Sequence, residues 1–421
     1  MELFDGWTTP VELTCRFLDR NVKTIRKRHW VYAVNQSRDR NYVLKAAMSA
    51  TAGRTDYCDK NCVSSILRFA VVAVLLSNSV LPAAARKKPT TDKTVGKADI
   101  EAATRLQVFL DRTNFSPGKL DGRYNDFTWK ALALYRESRG EQPQAPPPHA
   151  NGKSNVAPDT SGLDLASVEP VFIPYTVTEA DLQSVGSLPS KVAEQAKLKF
   201  LPYHDAAEGV AEKFHCDVHF LEQLNPGKLK TIKPGDQLMV PNVEPFELAS
   251  VKDIKPGSEI APKAANDVED QSDAQAGNPD ENSRAAATVA VKIDTKANML
   301  GVLQDDKLIA AYPVTIGSAQ TASPIGEWKV RRITKMPTFR YDKEMLRHGR
   351  RSGNFYLLPP GPRNPVGIMW IALNKKGIGI HGTNTPDSIG RAASHGCIRL
   401  ANWDVVRLAL KIKSGDSVSI H

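Results

Sequence analysis

A chain of 421 residues has room for two to four domains, which excludes a single small module. Half of the formal charge of +10 sits in the first 85 residues, which hold 12 Lys/Arg against 7 Asp/Glu. No stretch concentrates basic residues sharply enough for a nucleic-acid binder, and the 28 prolines and 27 glycines cluster in a way that marks linkers.

Residues 1–62 show neither a helical nor a strand period and read as an uncertain N-terminal extension, with Met48 as an alternative start. Residues 63–85 read as a signal peptide. Arg68 precedes the apolar run Phe69-Ala70-Val71-Val72-Ala73-Val74-Leu75-Leu76, and Pro82 and Ala83-Ala84-Ala85 follow. The apolar core is too short to span a bilayer and the small residues suit cleavage, so export to a periplasm or cell wall is expected. No stable membrane span is expected after cleavage; an uncleaved anchor is the alternative. Cys15, Cys58 and Cys62 fall before the expected cleavage site, which leaves Cys216 and Cys397 as free thiols.

Residues 98–139 predict a compact helical unit. Ile100, Ala103, Leu106, Phe109 and Leu110 have helical spacing behind Asp99 as a cap, and a second helix starts near Asp126 or Thr128. Residues 140–170 are Pro-rich and polar, a linker. Residues 171–246 open with a strand in PYTVTEADLQ, continue with two short helices, and close with a turn and strand in IKPGDQLMVPN. His215, Cys216 and His219 invite a metal reading, but a helix break at Asp217 argues against a shared face, so no metal is expected and His215 reads as a satisfied surface histidine. Residues 247–286 are poor in aromatics and locally acidic, a flexible tether. From 287 to 421 the chain turns strand-like: Val289, Val291 and Ile293 alternate, and hairpins are expected around residues 304–307 and 374–377. A helix near Asn402–Leu410 and a terminal strand over Ser417–Ile420 finish it.

The chemistry gathers in Ile380-His381-Gly382-Thr383 and Ser394-His395-Gly396-Cys397-Ile398-Arg399-Leu400. A thiol attacks as the thiolate, so a reactive cysteine needs imidazole or cationic neighbours. The glycine before it lets backbone come close to a substrate carbonyl.

This pair of motifs closely resembles the catalytic signature of the L,D-transpeptidases (the YkuD-like family), and Thr321–Trp328 and Asn364–Gly367 extend the resemblance across the domain. Residues 98–139 resemble the small helical peptidoglycan-binding domain, through Leu106-Gln107, Pro117-Gly118-Lys119-Leu120-Asp121-Gly122 and the Thr128-led helix. Residues 171–246 resemble a LysM module, through Leu224-Asn225-Pro226 and Ile232–Pro241, although the segment between Asp181 and Leu201 is longer than a compact LysM needs. The implied architecture is multidomain: a mainly-β, sandwich-like catalytic domain of the L,D-transpeptidase fold, preceded by a small α+β LysM-like module and a small helical bundle.

The implied activity is cell-wall biogenesis on peptidoglycan stem peptides and glycan strands, without a cofactor. Cys397 attacks a stem-peptide carbonyl, His381 is the base with its other nitrogen on a backbone carbonyl such as that of Gly382, and His395 flanks the thiolate and keeps its pKa low. The N–H groups of Gly396 and Cys397 bind the oxyanion, Arg399 faces the substrate carboxylate or supports the loop, and Ser394 shapes the loop. The alternatives are an L,D-carboxypeptidase, an enzyme attaching a protein to peptidoglycan, and a non-catalytic wall-binding protein.

Overall fold

The computed structural model describes residues 11–13, 30–36, 42–45, 96–144, 156–260 and 287–421. The chain divides into two compact units, 1–91 and 92–421. In the first, strands β1 (Val11–Leu13), β2 (Trp30–Gln36) and β3 (Tyr42–Lys45) form an antiparallel sheet in that order. These runs lack a clean alternation, so no strand is expected there from the sequence. The expected export segment lies outside the described residues.

The second unit begins with α1 (Lys97–Arg112) and α2 (Asp126–Ser138). Asp99 is not the cap of α1: Gly96 is, and the Asp99 carboxylate accepts from the Gly96 N–H at 3.2 Å. Asn125 caps α2 by accepting from the Thr128 N–H. Strands β4 (Phe172–Thr176) and β5 (Gln237–Pro241) then pair antiparallel around α3 (Glu179–Gln183), α4 (Val192–Gln195), α5 (Ala206–Lys213) and α6 (Val218–Leu224). Asp205 and Asp217 cap α5 and α6. Leu106, Leu110, Leu120, Leu132, Phe214, Leu221 and Leu238 share one buried cluster, so α1, α2 and the β4–β5 region are packed against each other.

The C-terminal part is built on one mixed eight-stranded sheet. Its strands are β6 (Val289–Asp294), β7 (Met299–Gln304), β8 (Lys307–Pro313), β10 (Gly326–Lys335), β13 (Met369–Leu373), β14 (Gly379–His381), β16 (Ile398–Arg399) and β17 (Ser417–Ile420), in the order β16-β14-β13-β10-β17-β6-β7-β8. Two short pairs accompany it: β9 (Ile316–Gly317) with β15 (Ala392–Ser394), and β11 (Phe339–Tyr341) with β12 (Tyr356–Leu358). A short helix, α7 (Lys343–His348), lies between β11 and β12. The sheet curls around α8 (Asn402–Lys411), whose Trp403, Val405, Leu408 and Ala409 meet Val291, Leu300, Ile371 and Val418 in one core. A sandwich was expected. One sheet suffices because a single helix fills its concave face.

Both predicted linkers are folded over part of their length. Val168 is fully buried, and Leu163 and Leu165 pack on the α1–α2 core. Phe246 and Val251 belong to the core of the eight-stranded sheet, while Gly257 N–H and Glu259 N–H donate to the carbonyls of Ala409 and Leu410. Residues 247–260 are therefore a docked strap. The predicted tether lacks aromatic residues, but Phe246 just before it and Val251 within it enter the core, and Leu248, Ile254 and Ile260 pack against it.

A buried ionic cluster ties the parts together. Asp111 of α1 accepts two hydrogen bonds from Arg407 of α8, at 3.0 and 2.9 Å, and lies 3.1 Å from His215 Nδ1. The His215 ring stacks on Trp403 at 5.2 Å and 15°. His215 is thus a partner of a buried carboxylate, not the surface histidine that the sequence predicts. Arg407 holds the Asp111 carboxyl well below its usual range against the burial that would raise it.

Candidate active site

Two short strands position the site. β14 and β16 run parallel, with Ile380 opposite Ile398 and His381 opposite Arg399. The isoleucines enter the core, and strand alternation puts His381, Cys397 and Arg399 on the other face. Continued by one residue, this register sets Cys397 beside Gly379. The Gly379 N–H is directed at the Cys397 sulfur, where it favours the thiolate. From ~4.8 Å between strands and ~3.3 Å per residue, the Cα atoms of His381 and Cys397 are roughly 8 Å apart across the diagonal, within reach of two facing side chains.

The tautomer of His381 is fixed by its surroundings. Nδ1 lies 2.6 Å from the Gly382 carbonyl oxygen, so Nδ1–H donates and Nε2 keeps the lone pair. The ring is buried and stacks on Trp370, its cross-strand partner in β13, at 5.2 Å and 18°. Burial pushes its pKa down to about 3, with Arg399 acting in the same direction, so the ring is neutral near pH 7. The thiol moves the other way: burial raises its pKa, against the opposing influence of Gly379 N–H and Arg399. The Cys397 sulfur is half-buried and donates weakly to the Gly377 carbonyl at 3.6 Å. The resting pair is thiol and neutral imidazole, not the low-pKa thiolate that the sequence motif predicts.

His395 is exposed, and the groups that act on the thiol are Gly379 and Arg399 rather than this ring. Arg399 is half-buried, and its positive charge acts on both Cys397 and His381. Ser394 is buried and holds the loop: its hydroxyl donates to the Cys397 carbonyl and accepts from the Gly396 N–H at 3.1 Å. Thr321 Oγ1 and Ser318 N–H donate to the Ser394 carbonyl at 2.7 and 3.0 Å. The Gly396 N–H is consequently engaged, which leaves Cys397 N–H as the first candidate oxyanion donor. Gly396 has φ +101°, a conformation that a side chain would strain.

Three supporting residues escaped the sequence reading. Trp370 occupies an outward position of β13, where an aromatic opposite a histidine is a visible signal. Asn402 resembles an ordinary helix-start residue, but its Oδ1 packs against Gly367 and Gly382 and accepts from Ile368 N–H at 3.3 Å. Glu212 stands among Ala207, Val210, Ala211 and Phe214, a carboxyl on the buried side of α5. It accepts from Asn402 Nδ2 at 2.9 Å and from Tyr203 OH at 3.0 Å. The loop between the two motifs is also held from outside, because Lys119 bridges Asp387 to Asp217.

The family model for the L,D-transpeptidase catalytic domain, YkuD, matches residues 288–420. YqjB of Bacillus subtilis, named as an L,D-transpeptidase, is 34% identical over 135 residues that make up 31% of this chain and 69% of that protein. The chain belongs to the L,D-transpeptidase family. YkuD of Bacillus licheniformis, another protein so named, is 32% identical over 130 residues, 31% of this chain and 64% of its own length. The chain spans just under two thirds of the YkuD proteins of B. licheniformis and B. subtilis, at 64% and 65%. Among solved structures, L,D-transpeptidase 3 of Mycobacterium tuberculosis aligns at 16% identity over 32% of this chain and 62% of that one, with a TM-score of 0.27. Among the described residues no helix is long and apolar enough to cross a membrane.

Proposed function

We propose that this protein is an exported cell-wall L,D-transpeptidase that forms peptidoglycan cross-links through an acyl-thioester on Cys397. The observation that supports the reading is the parallel pairing of β14 with β16, His381 opposite Arg399, together with the Gly382 carbonyl that fixes the His381 tautomer. A stem peptide entering the groove brings its scissile carbonyl to Sγ. As the S–C bond forms, the thiol proton passes to His381 Nε2, and Nδ1–H stays on the Gly382 carbonyl. Cys397 N–H receives the developing oxyanion, and the positive charge of Arg399 favours the negative charge that builds on sulfur and passes to oxygen as the S–C bond forms. His381 then returns the proton to the departing amine, which releases the terminal D-amino acid and leaves the thioester. An amine of a neighbouring stem gives its proton to His381 as it attacks, the C–S bond breaks, and the thiol is regenerated.

The helical unit and the β4–β5 unit are proposed as peptidoglycan-binding and LysM-like modules that seat glycan strands. The buried Asp111–Arg407–His215 cluster supports modules that present the wall in a fixed orientation, not on tethers. The test is mass spectrometry of muropeptides from cells making the active protein or Cys397→Ala. The reading expects 3→3-linked dimers to fall in the variant; unchanged dimers with trimmed stems would replace cross-linking by hydrolysis with water as acceptor.

A further inference from the structure

The base is supported from outside its own domain. Nδ1–H of His381 is anchored by the Gly382 carbonyl, and Gly382 is wedged between Gly367 and Asn402. A Cβ built on Gly382 would lie 2.2 Å from Asn402 Oδ1, and one on Gly367 2.3 Å from the same oxygen, so the amide seats directly against both glycines. That seat has one orientation. Oδ1 faces the glycines and accepts from Ile368 N–H, and Nδ2 donates to Glu212 Oε1 at 2.9 Å. Glu212 belongs to α5 of the LysM-like region, 190 positions away in the chain, and Tyr203 OH holds the same oxygen at 3.0 Å.

We infer that Glu212 is a positioning residue for the transpeptidase reaction: through Asn402 it holds the Gly382 carbonyl that sets the tautomer and angle of His381. The accessory module thereby completes the catalytic site as well as binding the wall. Without the acceptor on Glu212, the buried Nδ2 amide loses its partner and Asn402 turns to find another. The glycine seat then opens. This inference deepens the transpeptidase reading above and rests on it for its kinetic consequence, though not for its structural one.

The experiment uses the full chain with Glu212→Leu, Glu212→Gln, Asn402→Ala and, as a control, Arg363→Met. The control breaks the Glu208–Arg363 contact, 2.7 Å, which joins the same two regions without touching Asn402. Two readouts are taken: the nitrogen-15 shifts of the His381 ring, which report the Nδ1-protonated tautomer, and the split between kcat and KM on a disaccharide-tetrapeptide. Leu at 212 and Ala at 402 should each disturb the His381 tautomer and lower kcat on the order of 10- to 100-fold with KM little changed. Gln at 212 keeps the acceptor oxygen and should restore both readouts. Arg363→Met should leave both near wild type. A wild-type His381 signature in Glu212→Leu overturns the inference, and so does an equal loss in Arg363→Met, which would make this interface merely structural. If Glu212→Leu does not fold, Asn402→Ala and the Gln rescue decide by the same criteria. A tautomer that responds in a protein with no transpeptidation would retire the functional reading and leave the positioning role standing.

Discussion

The ionisation state of the resting site yields the most exposed prediction. Burial lowers His381 to about 3 from its ordinary 6.5 and raises the Cys397 thiol. The imidazole displacement corresponds to about 5 kcal/mol against the charged ring, so about one ring in 10⁴ is protonated near pH 7. A thiolate–imidazolium pair is thus a minor species before substrate arrives. The perturbation is His381→Gln, and the assay is the rate of Cys397 alkylation by iodoacetamide from about pH 5 to 10, with Cys216 replaced by Ala. The rate should rise in a single wave above the ordinary thiol pKa of about 8.5, with no inflection near neutrality. The variant should follow the same curve, because the resting ring takes no proton from the thiol. Acylation by substrate should nonetheless fall on the order of 10²–10⁴-fold, since that proton moves only in the transition state. An inflection between about pH 5 and 7 in the native protein that vanishes in His381→Gln would refute the reasoning and restore a preformed ion pair.

Other outcomes follow from the buried groups. Arg407→Met leaves Asp111 with one partner and should cost about 3–5 kcal/mol in urea denaturation; a loss under 1 kcal/mol would show the cluster to be solvated. Glu212 and Asp404 have folded pKa values raised by burial from 4.5 to about 7 and from 3.8 to about 8, so the stability they contribute is complete only below the lower values and is lost as pH rises from there through the upper ones. Their contribution should therefore lower the melting temperature between about pH 4 and 8, and Asp404→Asn should flatten that fall. Ser394→Ala strips the Gly396 N–H and the Cys397 carbonyl of their partner and should cost about 1–3 kcal/mol, with a matching loss of acylation rate in stopped-flow measurements. Residues 287–421 produced alone lack Phe246, Val251 and the partners of Arg407 and Asn402, so they should melt well below the 92–421 unit in calorimetry; equal melting points would count against a shared core.

Much of this protein is local and was legible in the chain. Period-two alternation in Val289, Val291 and Ile293, the Asn374-Lys375-Lys376-Gly377 turn and the helix over 402–411 depend on neighbours a few positions apart, and they form close to where patterning puts them. The two motifs single out the sulfur and the ring proposed to react, because their chemistry is carried by residue type. The charge on those groups was not legible. It follows from desolvation and from Arg399 across a strand pair, quantities set by what the rest of the chain excludes from water. Patterning also misjudged the linker at 247–260, where Val251 enters the core and Leu248, Ile254 and Ile260 pack against it among polar residues. Likewise the roles of Trp370, Asn402 and Glu212 exist only once distant segments meet, since a hydrogen bond spanning 190 positions leaves no period to read. Residue type along the chain names the atoms able to react; their protonation and aim come from tertiary packing, because both depend on burial and on partners from distant segments.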